Sequence, residues 1–263
     1  MSQEPVLSSL DQGVLLVELN RPERMNAFTE ESHLRLREIL ARAAEDHAVR
    51  AVLLTGRGKG FCAGQDLNNR DPRQPGPRSD LGQSLGRFYN PTIRALRRLQ
   101  KPVICAMNGA AAGAGVGLAL ACDIVIAGES ARFVLSFSRL GLVPDAGSSW
   151  CLTRILGEAR AKALLLTGET IPAPRAAELG LISKSVPDME LADEARALAG
   201  KLAAGPTLGL GLMKTLIQEA GGRDFDSQLE AERLAQQSAG FSDDYAEGVT
   251  AFLEKRPALF RGS

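Results

Sequence analysis

Histidine is scarce in this 263-residue chain: there are two, His33 and His47, both in or beside a charged, helix-like segment expected to lie far from the glycine-rich stretches. Acid–base chemistry built on imidazole is therefore not expected. Cysteine is also sparse. Cys62, Cys105, Cys122 and Cys151 are widely spaced, form no C-x-x-C pair and have no neighbouring histidine, which argues against a disulfide framework and against a metal site such as structural zinc. Charge of one sign is missing too: Lys plus Arg and Asp plus Glu stand at 31 each, so no global field draws the protein to nucleic acid or to an anionic membrane. No apolar run reaches the roughly 18–20 residues of a membrane helix. The opening MSQEPVLSSL lacks the basic and apolar blocks of a secretory signal. These absences lead us to expect a cytoplasmic protein with a small-molecule partner.

What is present is a hydrophobic share of 44%, enough for a substantial core. PVLSSLDQGVLLVELN (5–20) holds two β-prone runs around Asp11-Gln12-Gly13 and reads as a hairpin ended by Arg21-Pro22. Thr29 is a candidate N-cap for a helix to about Asp46, with Leu34, Leu36, Ile39 and Leu40 on its apolar side. The short run AVLLT (51–55) reads as a buried strand, and the Pro- and charge-rich stretch 68–80 as a loop. A helix over about 81–99 then separates that strand from PVICAM (102–107), with DIVIA (123–127) as a third, so β/α crossovers are implied. Beyond about Pro187 the β signal fades, and four consecutive helical segments read as an all-helical appendage. No fixed repeat or sustained heptad is found.

Two turns carry the most information: GRGKGFCAGQDL (56–67) and NGAAAGAGVG (108–117). Each follows an apolar strand and holds small residues where a helix begins. Such a terminus exposes backbone N–H groups and partial positive charge to an approaching anionic oxygen. A phosphate cradle, close helix–strand packing and an oxyanion hole made from both turns compete as readings. No G-x-x-x-x-G-K-[ST] occurs, and Leu118 stands where G-x-G-x-x-G would need its last glycine.

F-C-A-G-x-D-L, N-G-x-A-A-G-x-G, C-D-I and G-L-V-P-D occur in the order and spacing of the crotonase (enoyl-CoA hydratase/isomerase) superfamily, which the chain resembles over essentially its whole length. RPERMNAF resembles that family's CoA-contacting loop and AFLEKRP its C-terminal signature. Within the family, GFCAGQDLN, RFYNP, AAGAG, FSRLGLVPD and PTLGLGLMK resemble most the bacterial subfamily that isomerises ring-1,2-epoxyphenylacetyl-CoA. The resemblance implies an α/β fold: a crotonase-like ββα spiral core over residues 1–200 that holds the acyl-CoA site. It also implies a C-terminal all-helical trimerisation region over 201–263, giving a homotrimer or a hexamer. No cofactor is implied, coenzyme A being part of the substrate.

The resemblance further implies that the N–H groups of Gln65 and Ala114 form an oxyanion hole. In a dry site two such donors stabilise a thioester enolate by about 3–4 kcal/mol each. Arg24, Ala27, Ala63, Asp66, Leu67, Gly113, Phe137 and Lys255 are the implied substrate- and CoA-binding residues, although exposed bases such as Arg24 and Lys255 also serve as plain surface charge. Phe88, Tyr89 and Trp150 are candidates for an acyl pocket or for ordinary core. The glutamates that manage water in the family's hydratases fall at Gly117 and Phe137 here, so hydration is expected to be weak. Asp145 matches the position of an active aspartate in other members and is the implied proton shuttle, unless it merely caps the helix holding Trp150. The expected reaction is conversion of the ring-epoxidised phenylacetyl-CoA to oxepin-CoA, with Δ3 to Δ2 enoyl-CoA isomerisation alongside. The alternatives are a general enoyl-CoA isomerase or weak hydratase of fatty-acid breakdown, a non-catalytic CoA- or RNA-binding relative, and a purely structural oligomer.

Overall fold

The structure is a computed structural model and describes residues 4–66 and 79–263. The N-terminal hairpin forms as expected: β1 (Val6–Asp11) and β2 (Val14–Leu19) are antiparallel about Gln12 and Gly13, both at positive φ. Positive φ at both central residues matches the right-handed twist of the strands they join. Thr29 caps α1 (Glu30–Glu45) through a reciprocal box in which its hydroxyl accepts from the Ser32 N–H and the Ser32 hydroxyl accepts from its own N–H.

From β3 (Ala51–Gly56) onward the chain winds in repeated ββα turns. β3 is followed by β4 (Gly60–Cys62), then by α2 (Leu81–Ser84), a π-helical turn over 85–89 and α3 (Asn90–Arg98). β5 (Val103–Met107) leads to β6 (Ala110–Ala112) and α4 (Ala114–Ala121). β7 (Ile124–Gly128) leads to β8 (Arg132–Val134), α5 (Ser148–Leu156) and α6 (Glu158–Thr167). β9 (Thr170–Pro172), α7 (Ala173–Glu178) and β10 (Lys184–Val186) complete the spiral. The first strand of each turn joins a six-stranded sheet, β1-β2-β3-β5-β7-β10, and the second joins a four-stranded sheet, β4-β6-β8-β9. Pairing is parallel except at the two edges β1/β2 and β8/β9.

The continuous apolar runs follow from burial on both faces of the large sheet. Val52, Leu54, Val103, Cys105 and Met107 face the main core, whereas Ala51, Leu53, Ile104, Ala106 and Ile126 face a second core. That second face is covered by α8 (Leu191–Ala203), whose Ala195, Ala199 and Ala203 repeat at helical spacing and let it lie close. The first of the four C-terminal helices thus packs on the sheet. α9 (Thr207–Ala220), α10 (Phe225–Gly240) and α11 (Asp243–Glu254) follow it, and they carry exposed Ile217, Leu229, Phe252 and Leu253. No helix among the described residues is long and apolar enough to cross a membrane.

One expectation about α1 is corrected. Leu34, assigned to its apolar side, is exposed; Leu36, Ile39 and Leu40 face inward as expected, joined by His33 and Ala43. These positions follow a spacing of three and four, and His33 takes part in it as an uncharged ring.

Removing the α1 cap with Thr29→Ala is expected to cost about 1 kcal/mol. A lowered urea midpoint with an unchanged m-value measures this loss.

Candidate active site

The short strands β4 and β6 bring the two glycine turns together. They pair in parallel, Gly60 with Ala110 and Cys62 with Ala111, so the chains that leave them run side by side. Side chains at this junction would clash. A Cβ on Gly64 would lie 2.7 Å from the Ala112 carbonyl oxygen and 3.3 Å from the Ala114 nitrogen, and one on Gly115 would strike the Cys62 carbonyl. Gly64 at φ +83 and Gly113 at φ +50 also turn the chain through conformations that L side chains rarely adopt.

Each turn presents one backbone donor. Phe28 and Gln65 form an isolated parallel bridge in which the Phe28 N–H donates to the Gly64 carbonyl and the Asp66 N–H to the Phe28 carbonyl. That pattern leaves the Gln65 N–H directed to the opposite side. Ala114 is the first residue of α4, where an N–H has no acceptor within the helix. Among the described residues neither donor is given to a protein acceptor. Two N–H groups on adjacent turns, one at a helix N-terminus, are donors of the type that stabilises an oxygen gaining negative charge.

The segment 21–28 fastens the first turn. Arg21 bonds the Asp66 carboxylate at 2.9 Å and the Ala27 carbonyl at 2.6 Å, and the Ala63 N–H donates to the Met25 carbonyl at 2.9 Å. Asn26, buried at φ +56, donates to the Arg57 and Gly60 carbonyls and accepts from the Arg21 N–H. Ala27, Ala63, Gln65 and Asp66 therefore share one hydrogen-bonded unit. Arg24 lies exposed in the same loop.

On the far side of Gln65, Tyr89 donates to its side-chain oxygen, and a cavity of about 350 Å³ is lined by His33, Gln65, Asp66, Arg87, Phe88 and Tyr89 with neighbouring polar residues. Phe88 and Tyr89, both buried, thus stand beside the first turn. Phe137 is buried with its ring edge 4.0 Å from where a Gly113 Cβ would be. Trp150 is 46% exposed, and its ring faces carry the guanidiniums of Arg97 and Arg154 at 4.6 and 4.5 Å. Lys255 is exposed at the end of α11 at φ +54, and among the described residues no hydrogen bond or ion pair joins it to the other candidates. Leu67 lies outside the described residues.

Asp145 is half-buried in the segment before α5. α5 starts at Ser148 with Gly147, not Asp145, in the N-cap position. Instead Asp145 accepts the Ser148 N–H at its carbonyl, 2.8 Å, which closes a turn through Ala146 and Gly147. Ala146 packs on Gly117, where a Cβ would overlap its carbonyl oxygen and fall 2.6 Å from its Cβ. Gly117 lies three residues beyond Ala114 on α4, so the Asp145 turn rests about 4.5 Å along that helix from the second donor.

Sequence reasoning misses His33 as a neighbour of the turns. It is 2% exposed, stacked on Phe28 with ring centroids 4.3 Å apart and edge-on to Tyr89 at 4.1 Å. The Thr92 hydroxyl donates to the Phe88 carbonyl, which makes it an acceptor for the His33 Nδ1 proton at 3.1 Å. Burial, with the nearby Arg37 charge, lowers its pKa to about 3. The ring is a neutral packing group at ordinary pH and a poor base. Burial likewise pushes the Cys62 thiol up to about 12, which leaves it inert beside the first turn.

Three comparisons with known proteins identify the relatives of this chain. A family model described as enoyl-CoA hydratase/isomerase matches residues 9–263. The chain is 53% identical to the 1,2-epoxyphenylacetyl-CoA isomerase of Escherichia coli K12, over 98% of this chain and 99% of that one. It is 42% identical to a probable enoyl-CoA hydratase of Rhodobacter capsulatus, over 100% of both chains. Among solved structures, an enoyl-CoA hydratase of Bacillus anthracis superposes with a TM-score of 0.93 at 33% identity, over 98% of this chain and 100% of that one. A putative enoyl-CoA hydratase/isomerase of Mycobacterium abscessus gives 0.91 at 39%, with coverage of 98% and 100%.

The lowered His33 pKa has a sign. The unfolded chain takes up this proton near pH 6.5 and the folded chain near pH 3, so stability is full above pH 6.5 and falls as pH drops between these values. The slope expected from this one group is about 1.4 kcal/mol per pH unit. Urea unfolding of the wild type and of His33→Phe between pH 7 and 4.5 checks it: the variant should lack that component.

Proposed function

The chain belongs to the enoyl-CoA hydratase/isomerase family, and from that membership we propose that it is an acyl-CoA isomerase acting on the ring-epoxidised phenylacetyl thioester named for its Escherichia coli relative. The observation that carries the mechanism is the pairing of two open N–H donors, Gln65 and Ala114, with the Asp145 turn seated one helical turn away on α4.

In this reading the thioester oxygen lies between the two N–H groups. The Asp145 carboxylate removes an α-proton, the electron pair of that C–H bond forms the enolate, and the developing charge falls on the oxygen held by the fixed donors. Asp145 then returns the proton to a ring carbon as the bond shared by epoxide and ring opens, giving the seven-membered oxepin. With a Δ3-enoyl thioester, return to the γ-carbon moves the double bond to Δ2. Each sequence is an isomerisation and needs no added oxidant or reductant.

Arg24, Ala27, Ala63, Asp66 and Lys255 are assigned to coenzyme A and its thioester arm, and Phe88, Tyr89 and Phe137 to the acyl side, where burial beside the turns supports the assignment. Residues 1–200 form the catalytic unit and 201–263 the assembly unit. Exposed Ile217 and Phe252, at 75% and 82%, support burial of the latter against further copies of the chain in a trimer or hexamer. Lys255 would then complete a neighbouring copy's site.

Several relatives carry hydratase names, which keeps hydration as the competing reading. Two features weigh against it: the family's two water-handling glutamates are replaced by Gly117 and Phe137, and Ala146 fills the space a side chain at 117 would need.

Isomerisation of 3-hexenoyl-CoA, followed through the absorbance of the conjugated product, tests the mechanism without the unstable epoxide. Asp145→Asn is expected to bind ligand and fold normally but to lose about 100-fold or more in kcat. Equal rates in variant and wild type would remove Asp145 from the chemistry.

A further inference from the structure

We propose that Gly117 and Ala146 form a notch and peg that hold Asp145 in register with the oxyanion donors, making both of them positioning residues. The inference rests on the assignment of Asp145 as proton shuttle.

The turn that carries Asp145 is an unfavourable one for its sequence. The Ser148 N–H closes it on the Asp145 carbonyl, with Ala146 at φ +48 and Gly147 at φ +80 as its central residues. Glycine takes such a conformation freely, whereas alanine is strained in it by roughly 1 kcal/mol. A non-glycine residue held there needs support from outside the turn, and Gly117 supplies it. Ala146 is 3% exposed, and both its Cβ and its carbonyl oxygen occupy the space that any side chain at 117 would take. A Cβ built on Gly147 would meet the Ile93 side chain of α3 at 3.9 Å, so α3 as well as α4 lies near this turn.

The same helix carries both halves of the chemistry. Ala114 presents its N–H at the start of α4, and Gly117, on the next turn, fixes the depth at which the Asp145 segment sits. A methyl group at 117 would push Ala146, and Asp145 with it, outward while leaving Ala114 and Gln65 in place. The Ala146 side chain plays the complementary part, because without its Cβ the turn loses both its strain and its seat.

A double-mutant cycle separates positioning from general damage. Gly117→Ala is expected to lower kcat on 3-hexenoyl-CoA by about tenfold or more, with KM within about threefold, because displacement of a reacting group costs turnover rather than binding. In the Asp145→Asn background the same substitution should change the residual rate by less than about twofold, since its effect passes through Asp145. Ala146→Gly should lower kcat by about threefold and show the same dependence on Asp145, and it carries the cycle if Gly117→Ala does not fold. Should the Asn variant be too slow to measure, a crystal structure of Gly117→Ala decides: Asp145 shifted by about 1 Å with Gln65 and Ala114 unmoved supports the proposal.

Unchanged kcat in both single variants, an equal loss in both backgrounds, or movement of α4 itself would overturn it. Failure of the underlying assignment is seen separately, as full activity in Asp145→Asn alone.

Discussion

The site depends on the pairing of two three-residue strands. β4 and β6 run parallel in the small sheet, and their alignment brings Gly64 against Ala112 and Ala114, and Gly115 against Cys62. Any side chain at these glycines would part the strands and move the two N–H groups away from each other. Catalytic donors of this kind belong to the main chain, so their geometry is set by how closely two backbones approach rather than by side-chain rotamers. The large sheet and its two packed faces supply the rigidity, and the RPERMNAF segment, fastened through Asn26 and the Arg21–Asp66 pair, fixes the first turn from outside.

Around this junction local packing sets the state and position of the titratable groups. His33 lies next to Gln65 yet stays neutral, because its ring is stacked within an aromatic cluster and its one fixed proton goes to Thr92. The Cys62 thiol is buried and protonated. Asp145 reaches the neighbourhood through a strained turn seated on α4. A family whose members differ in chemistry on one fold can change reaction by altering which side chain stands at the end of such a turn, because the donors themselves remain part of the backbone.

Much of this is legible in the chain. The hairpin at Asp11-Gln12-Gly13, the Thr29 cap and the three long strands follow from turn chemistry, capping and apolar runs, and each forms where expected. The small sheet is not. Its strands are three residues each, too short for a period-two pattern, and β4 and β6 lie inside glycine-rich segments that read as turns. His33 escapes for a different reason: a polar residue among charges looks exposed, and only its spacing to Leu36 and Leu40 marks it as inward. Gly117 stands out in the sequence for the glutamate it replaces. Its contact with Ala146 joins residues far apart along the chain, which no local pattern records.

Backbone donors such as the Gln65 and Ala114 N–H groups cannot be deleted by substitution. Isotope-edited infrared spectroscopy of carbonyl-labelled phenylacetyl-CoA bound to the protein reads them directly. The predicted result is a carbonyl stretch moved to lower frequency than in free ligand, as hydrogen bonds from Gln65 and Ala114 draw charge onto the oxygen. A bound ligand whose carbonyl stretch matches that of the free thioester in water would contradict it.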